Sequence, residues 1–347
     1  MDQGEAADGT TVVDTLIVGA GFSGLGAAIK LTEEGMDDLV VVERGSDVGG
    51  TWRDNTYPGA ACDVPSHLYS YSFALNPDWS RAFSPQGEIY DYIRKVTHDT
   101  GVRRKIRFGV EVTSVRFDGS RGRWSVETTA GEYDARVVVL GVGALCEPRL
   151  PEIDGIAGFG GPVFHTARWD HSVPLAGRRV AVIGTGASAI QVVPSIAPAV
   201  AHLDVYQRTA PWVLPRVDRP YPRFERTLYR RVPGLQRAVR ALQYGSREFQ
   251  VVGRTRSRAA LAPIRAIGRA HLAMQVRDPA LRAEVTPDFE IGCKRILLSN
   301  AWYRALTRRN VDLVTAPISR VTATGIVTAD GVEHPADVLV VATGFHV

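Results

Sequence analysis

A chain of 347 residues is too long for one small core and suits two domains. Hydrophobic residues make up 45% and charged residues 22%, ordinary values for a soluble globular protein. The net charge of +4 comes almost wholly from arginine and is not clustered with aromatics, so a nucleic-acid-binding stripe is not expected.

Cys62, Cys146 and Cys293 lie far apart and form no C-x-x-C pair, which argues against a disulfide-reductase mechanism and against zinc. They fit a reducing cytoplasm, the expected compartment. The acidic, polar start MDQGEAADGTT does not resemble a signal peptide and reads as disordered. No apolar run approaches the ~20 residues that span a bilayer.

Thr15–Val18 reads as a buried parallel strand entering the turn Gly19-Ala-Gly21-Phe22-Ser23-Gly24. A helix is expected over Phe22–Glu34 and a second strand over Leu39–Val42, ending at Glu43 and Arg44. Glu43 stands nineteen residues beyond Gly24, the spacing of a dinucleotide-binding βαβ unit. The glycines let a pyrophosphate approach the helix N-terminus. Glu43 can accept from a ribose hydroxyl pair and would repel a 2′-phosphate, which suits FAD or NAD.

Gly49-Gly50-Thr51-Trp52 through Tyr57-Pro58-Gly59 to Asp63 has neither helical nor strand periodicity and reads as a long ordered loop, usually a functional feature. As a residue alone, Asp63 divides evenly between a turn cap and a site residue. A helix follows over Gln86–Thr100. Strands over Phe108–Val115, Trp124–Thr128 and Glu132–Leu140 would form an inserted antiparallel layer, and Glu147-Pro148 begins a rigid crossing.

A second unit starts with Arg179–Ile183 and turns at Gly184-Thr185-Gly186-Ala187-Ser188-Ala189. Its second strand, Leu203–Tyr206, is followed by Gln207, Arg208 and Thr209. Arg208 is nineteen beyond Ala189, where the first unit has Glu43. An arginine there accommodates a 2′-phosphate by charge-assisted hydrogen bonds; the alternative is a solvated surface arginine. Opposite charges at matching offsets point to FAD at one turn and NADPH at the other. Arginine-rich helical periodicity over 219–284 reads as a helical insertion, with solvated basic faces preferred to a membrane or an acidic partner. Lys294-Arg295 follows, and a last strand, Ala336–Val341, leads to Ala342-Thr343-Gly344.

Between the two turns lies Phe159-x-Gly161-x-x-x-His165-x-x-x-Trp169-Asp170. This pattern resembles the fingerprint of type I Baeyer–Villiger monooxygenases, and the Gly50-Thr51-Trp52, Tyr57-Pro58-Gly59 and Asp63 positions match a second motif of that family. The resemblance spans residues 12–345. It implies an α/β protein with two Rossmann-like domains. FAD would lie in residues 1–148, re-entered at 336–347, and NADPH in 149–335 with the helical insertion. It implies FAD, NADPH and O2 turning a small ketone into an ester or lactone through a flavin C4a-peroxide. It places Trp52, Asp63 and Tyr69 against the flavin and its chain, the Val112 backbone on the FAD adenine, Lys294 on the NADPH phosphate and Arg295 toward the flavin.

Arg295 would then stabilise negative charge in the oxygenation step, held in place by Asp63. For His165 a structural, domain-coupling role is preferred to an acid/base one. Relatives of this family continue well beyond the position of Val347, so the sequence reads as a fragment or a short natural form. The competing functions are a nitrogen- or sulfur-oxidising flavin monooxygenase, an NADPH oxidase releasing hydrogen peroxide, and an inactive nucleotide-binding remnant. The ketone, the regiochemistry and the oligomeric state have no sequence signal.

Overall fold

The computed structural model describes residues 9–256 and 261–346; the expectation for residues 1–8 lies outside them. The chain forms two compact units. The first holds Met1–Asp54, Gly87–Glu147 and His346–Val347, and the second Asn55–Gln86 and Pro148–Phe345.

The first unit is built on β1 (Thr10–Val18), α1 (Phe22–Glu33), β2 (Leu39–Glu43), α2 (Thr51–Asp54), α3 (Gln86–Asp99), β3 (Ile106–Phe108), β4 (Val112–Asp118), β5 (Arg123–Thr128) and β6 (Gly131–Leu140). Its six-stranded sheet has the order β3-β2-β1-β6-β5-β4. The first four strands in that order run parallel; β5 then pairs antiparallel with β6, and β4 antiparallel with β5. The apolar run of β2 is buried at every position, as a parallel strand covered on both faces requires. Helix α1 buries Gly24, Leu25, Ala28 and Ile29, one stripe at helical spacing.

Two expectations change here. The antiparallel strands are not a separate layer, because β6 pairs with β1 along its whole length and joins them to the parallel sheet. The single strand expected over Phe108–Val115 is broken at Gly109, whose φ of 71° turns the chain. Before the break β3 runs beside β2; after it β4 pairs with β5.

The second unit holds β7 (Val163–His165), β8 (Arg179–Ile183), α4 (Ala189–Ile196), β9 (His202–Tyr206), β10 (Val213–Leu214), α5 (Arg223–Arg231), α6 (Leu235–Arg256), α7 (Ala262–Gln275), α8 (Pro279–Glu284), β11 (Leu297–Leu298), α9 (Trp302–Leu306), β12 (Val311–Val314), β13 (Ile318–Val321), β14 (Gly325–Thr328), β15 (Glu333–Pro335) and β16 (Val338–Val341). A five-stranded parallel sheet, β12-β9-β8-β16-β7, is its centre. One face packs on α4, α9 and neighbouring side chains through Val182, Val192, Val205 and Trp302. The other packs on an antiparallel meander, β13-β14-β15, through Ile183, Tyr206, Ile326 and Leu339. Helices α5 to α8 occupy the region read as a helical insertion. Both units therefore carry the Rossmann βαβ crossover, the second with helices inserted. No helix among the described residues is long and apolar enough to cross a membrane.

Within the second unit, segment 55–86 is fastened to the helical insertion around His67, which is fully buried. Gln236 Nε2 donates to His67 Nδ1 at 3.1 Å and to the Asn76 carbonyl at 2.6 Å. The ring packs on Tyr221 and Tyr229 at centroid distances of 5.1 and 4.8 Å. Burial, reinforced by Arg219 and Arg240, pushes its pKa down to about 4. The unfolded chain, with an ordinary histidine value near 6.5, then binds more protons as pH falls from about 6.5 to 4. Folding stability should therefore drop across that window by on the order of 3 kcal/mol. His67→Phe keeps the ring contacts and removes the titration. Denaturant midpoints measured from pH 7 to 4 should show a shallower fall in the variant, with His165, also held low by burial, supplying part of the remainder.

Candidate active site and nucleotide-binding turns

Each glycine turn divides its glycines into two kinds. In the first, Gly19 has φ 99° and a Cβ on it would meet the Gly141 carbonyl at 2.7 Å, while one on Gly24 would lie 1.8 Å from the Gly19 carbonyl. Those two glycines let β1, α1 and β6 pack. At Gly21 the nearest atom to an added Cβ is 3.9 Å away. Packing does not require that glycine, and it sits at the N-cap of α1 with no side-chain cap. Open space at an uncapped N-terminus of a twelve-residue helix suits a pyrophosphate. Phe22 and Ser23 begin that helix, and Phe22 stacks on Tyr92 at 6.2 Å. Gly50 passes over the turn, with Thr51 and the buried Trp52 following in α2.

Glu43, at the end of β2, is buried and ionised. Burial opposes the charge, but the Ala20 N–H donates to Oε2 at 2.8 Å, while the Gly45 N–H and Arg53 Nη1 each donate to Oε1 at 2.8 Å, and together they lower its pKa. One lone pair on Oε2 is thus left for a hydroxyl, less than the pair of acceptors the spacing suggests. Arg53, absent from the sequence reading, is the counter-ion here and also pairs with Asp54 at 2.7 Å. Its only sequence signal is its place beside a conspicuous tryptophan. Arg44 is exposed and pairs with Glu147. Val112 opens β4, half-buried against the core of this unit.

The second turn repeats the division. Gly184 has φ 116° and a Cβ there would meet the Ala342 carbonyl at 2.6 Å, whereas nothing lies within 4 Å of a Cβ on Gly186. Ser188 is the N-cap of α4 without a side-chain cap, Ala187 precedes it, and Ala189 is fully buried. Thr185 Oγ1 donates to the Thr209 carbonyl at 3.1 Å, tying the turn to the end of β9. Gln207 points inward, its Nε2 donating to the Glu284 carbonyl at 2.8 Å. Arg208 is exposed and, among the described residues, has no ion-pair partner. We expect Gly184→Ala to lower unfolding stability by about 1–3 kcal/mol and Gly186→Ala to leave it unchanged while weakening nucleotide binding. Denaturant midpoints and nucleotide titrations of the two variants measure both effects.

Also within the second unit, the loop from Tyr57 to Asp63 lies against α4. Gly59, with φ 83°, passes so close that a Cβ would meet the Gln191 carbonyl at 2.6 Å. The Gln191 amide accepts from the Tyr57 hydroxyl at 2.9 Å and donates to the Ala61 carbonyl at 3.0 Å. Gln191 has no recognisable motif and was not foreseen. Two residues beyond this clamp, Asp63 accepts from Arg295 Nη2, and the Arg295 side chain remains 58% exposed. The result is a guanidinium anchored on one side and open on the other. Lys294 is exposed over the Phe289 ring at 4.6 Å. Tyr69 is half-buried, its N–H bonded to the Pro65 carbonyl at 2.9 Å. All three cysteines are free, and burial pushes the Cys62 thiol up to about 12.

The five fingerprint residues have packing and capping partners. Phe159 packs under the meander, and a Cβ on Gly161 would lie 2.3 Å from the Asp337 carbonyl. Trp169 meets Phe164 edge-on at 5.0 Å, and Asp170 caps its own turn by accepting from the Ser172 N–H at 2.9 Å. His165 is 3% exposed, accepts from the Ala167 N–H at 3.1 Å and meets Phe345 edge-on at 5.7 Å.

The family model for pyridine nucleotide-disulphide oxidoreductase matches residues 16–222. A Baeyer-Villiger monooxygenase of Streptomyces coelicolor is 51% identical over 335 residues, covering 96% of this chain and 64% of the relative. The chain thus spans about 64% of that curated relative's length. The closed crystal structure of cyclohexanone monooxygenase superposes with a TM-score of 0.85 at 33% identity, covering 97% of this chain and 71% of that one. Oxidized steroid monooxygenase bound to NADP gives 0.85 at 36% identity, covering 96% and 72%.

Proposed function

The chain belongs to the Baeyer–Villiger monooxygenases, within the pyridine nucleotide-disulphide oxidoreductase family, and from that membership we propose that it binds FAD and NADPH and uses O2 to convert a ketone to an ester or lactone. FAD is assigned to the turn at Gly19–Gly24 and NADPH to the turn at Gly184–Ala189. The fit of the residues supports this: each turn has a middle glycine that packing does not need, at a helix start without a side-chain cap. Glu43, ionised and buried, disfavours a 2′-phosphate at the first turn, and the exposed Arg208, with no ion-pair partner among the described residues, favours one at the second. The solved steroid monooxygenase relative is bound to NADP.

When bound, FAD would supply electron transfer from NADPH and activation of O2. The chain's own contribution is charge and position. Negative charge develops on the ketone oxygen as the carbonyl is attacked, and Arg295 offers a cation already fixed by Asp63. The loop leading to Asp63 is in turn clamped by Gln191 at Tyr57 and Ala61, which supports a guanidinium that does not have to be reorganised during reaction. Arg208 and Lys294 would take the 2′-phosphate. The single observation that carries the proposal is the anchored but open Arg295. Incubation with NADPH, O2 and a panel of cyclic ketones and thioethers tests it: lactone formation is expected, and sulfoxide as the sole oxygenated product would overturn the ketone assignment.

A further inference from the structure

Asp204 breaks the pattern of its strand. β9 is internal in the parallel sheet and buried from Leu203 to Tyr206, yet it carries this carboxylate at 4% exposure. A buried carboxylate needs compensating charge or donors. No lysine or arginine among the described residues pairs with it. Its partners are His202, with Nε2 3.3 Å from Oδ1, and His334, with Nδ1 at 3.9 Å.

The geometry of the sheet assembles more. Alternation places His202 on the same face as Asp204, and the parallel register sets Asp312 of β12 directly opposite Asp204. His202 Nε2 is also 3.3 Å from Asp312 Oδ2, and one donor atom from each of these three residues lies within 4.8 Å of the others. His334 comes from β15 in the meander, held edge-on to Tyr206 at 5.9 Å. Zinc bonds of about 2.0–2.1 Å in a tetrahedron place neighbouring donors about 3.3–3.4 Å apart. Both contacts of His202 have that spacing, at 3.3 Å. A proton on His202 would offset one of the two carboxylates; a divalent cation offsets both.

We propose that His202, Asp204, Asp312 and His334 bind a divalent transition-metal ion of the zinc class, pinning the meander to the parallel sheet. His334 completes the set after a small ring movement. The site lies at the start of β9, whereas Arg208 and the second glycine turn lie beyond its end. It is therefore independent of the nucleotide assignment, and the cysteine spacing, which argued against zinc, is silent on it.

The test uses the 347-residue chain, stripped with chelator, dialysed, and titrated with Zn²⁺ alone. One equivalent is expected to bind and to raise the thermal midpoint by several degrees. Asp312→Asn and His334→Gln should each weaken binding at least tenfold, and Asp204→Asn should abolish it. Cys293→Ser, which removes the exposed thiol, should leave binding unchanged. Absence of stoichiometric binding overturns the proposal, as does binding that survives Asp312→Asn or disappears in Cys293→Ser. If Asp204→Asn does not fold, Asp312→Asn decides, because that side chain is 67% exposed and its loss spares the core.

Discussion

Arg295→Ala is expected to lower ester or lactone formation by about 10²–10³-fold, the effect of removing one preorganised charge or donor from a developing oxyanion. Reduction of bound FAD by NADPH should survive, because hydride transfer does not need that charge. The variant should also fold: Arg295 has an exposed side chain, and Asp63, its one ion-pair partner among the described residues, remains partly solvated when left alone. Rapid-reaction absorbance separates the two steps, with product counted by gas chromatography. Unchanged product yield would remove Arg295 from the chemistry, and equal loss of both steps would place it in cofactor binding instead. Arg295→Lys should retain part of the activity, since the charge is kept but the guanidinium hydrogen bond from Nη2 to Asp63 is lost.

Arg208→Ala should weaken NADPH by about tenfold to a hundredfold, the range for hydrogen bonds between charged groups, and leave NADH nearly unaffected. The reasoning rests on two features. Arg208 is exposed and has no ion-pair partner among the described residues, so its removal breaks no ion pair there. The only chemical difference between the two nucleotides is the 2′-phosphate. Steady-state KM values for both would measure it. An equal effect on NADPH and NADH would detach Arg208 from the phosphate.

Much of the architecture was legible in the sequence because Rossmann units write themselves in short runs. Thr15–Val18, Leu39–Val42 and Arg179–Ile183 are apolar enough to demand burial, and the glycine turns follow at once. Boundaries failed where pairing rather than hydrophobicity sets the strand. The first strand was expected only from Thr15, yet Thr10–Asp14 is also strand because β6 lies alongside it. The meander β13-β14-β15 was overlooked although Asp330-Gly331 is a hairpin signal, since its strands are only three and four residues long.

The site was legible residue by residue but not in its support. Asp63 and Arg295 are 232 positions apart, and their pairing depends on a tertiary contact that spacing does not encode. Gln191 and Arg53 carry no motif at all, and their roles emerge only when the Tyr57–Asp63 loop and the end of β2 are placed in space. Glu43 shows the opposite error. Its position was foreseen, but the backbone N–H groups of Ala20 and Gly45, which together with Arg53 fill all but one of its lone pairs, were not.

The most direct measurement is the absorbance spectrum of the purified chain, reconstituted with FAD and then mixed anaerobically with NADPH. The account predicts a flavin band that stays with the protein through gel filtration and bleaches on adding NADPH, because both glycine turns are formed and their middle glycines are open. A protein that retains no flavin, or a bound flavin that NADPH does not reduce, would contradict the assignment of the two turns to FAD and NADPH.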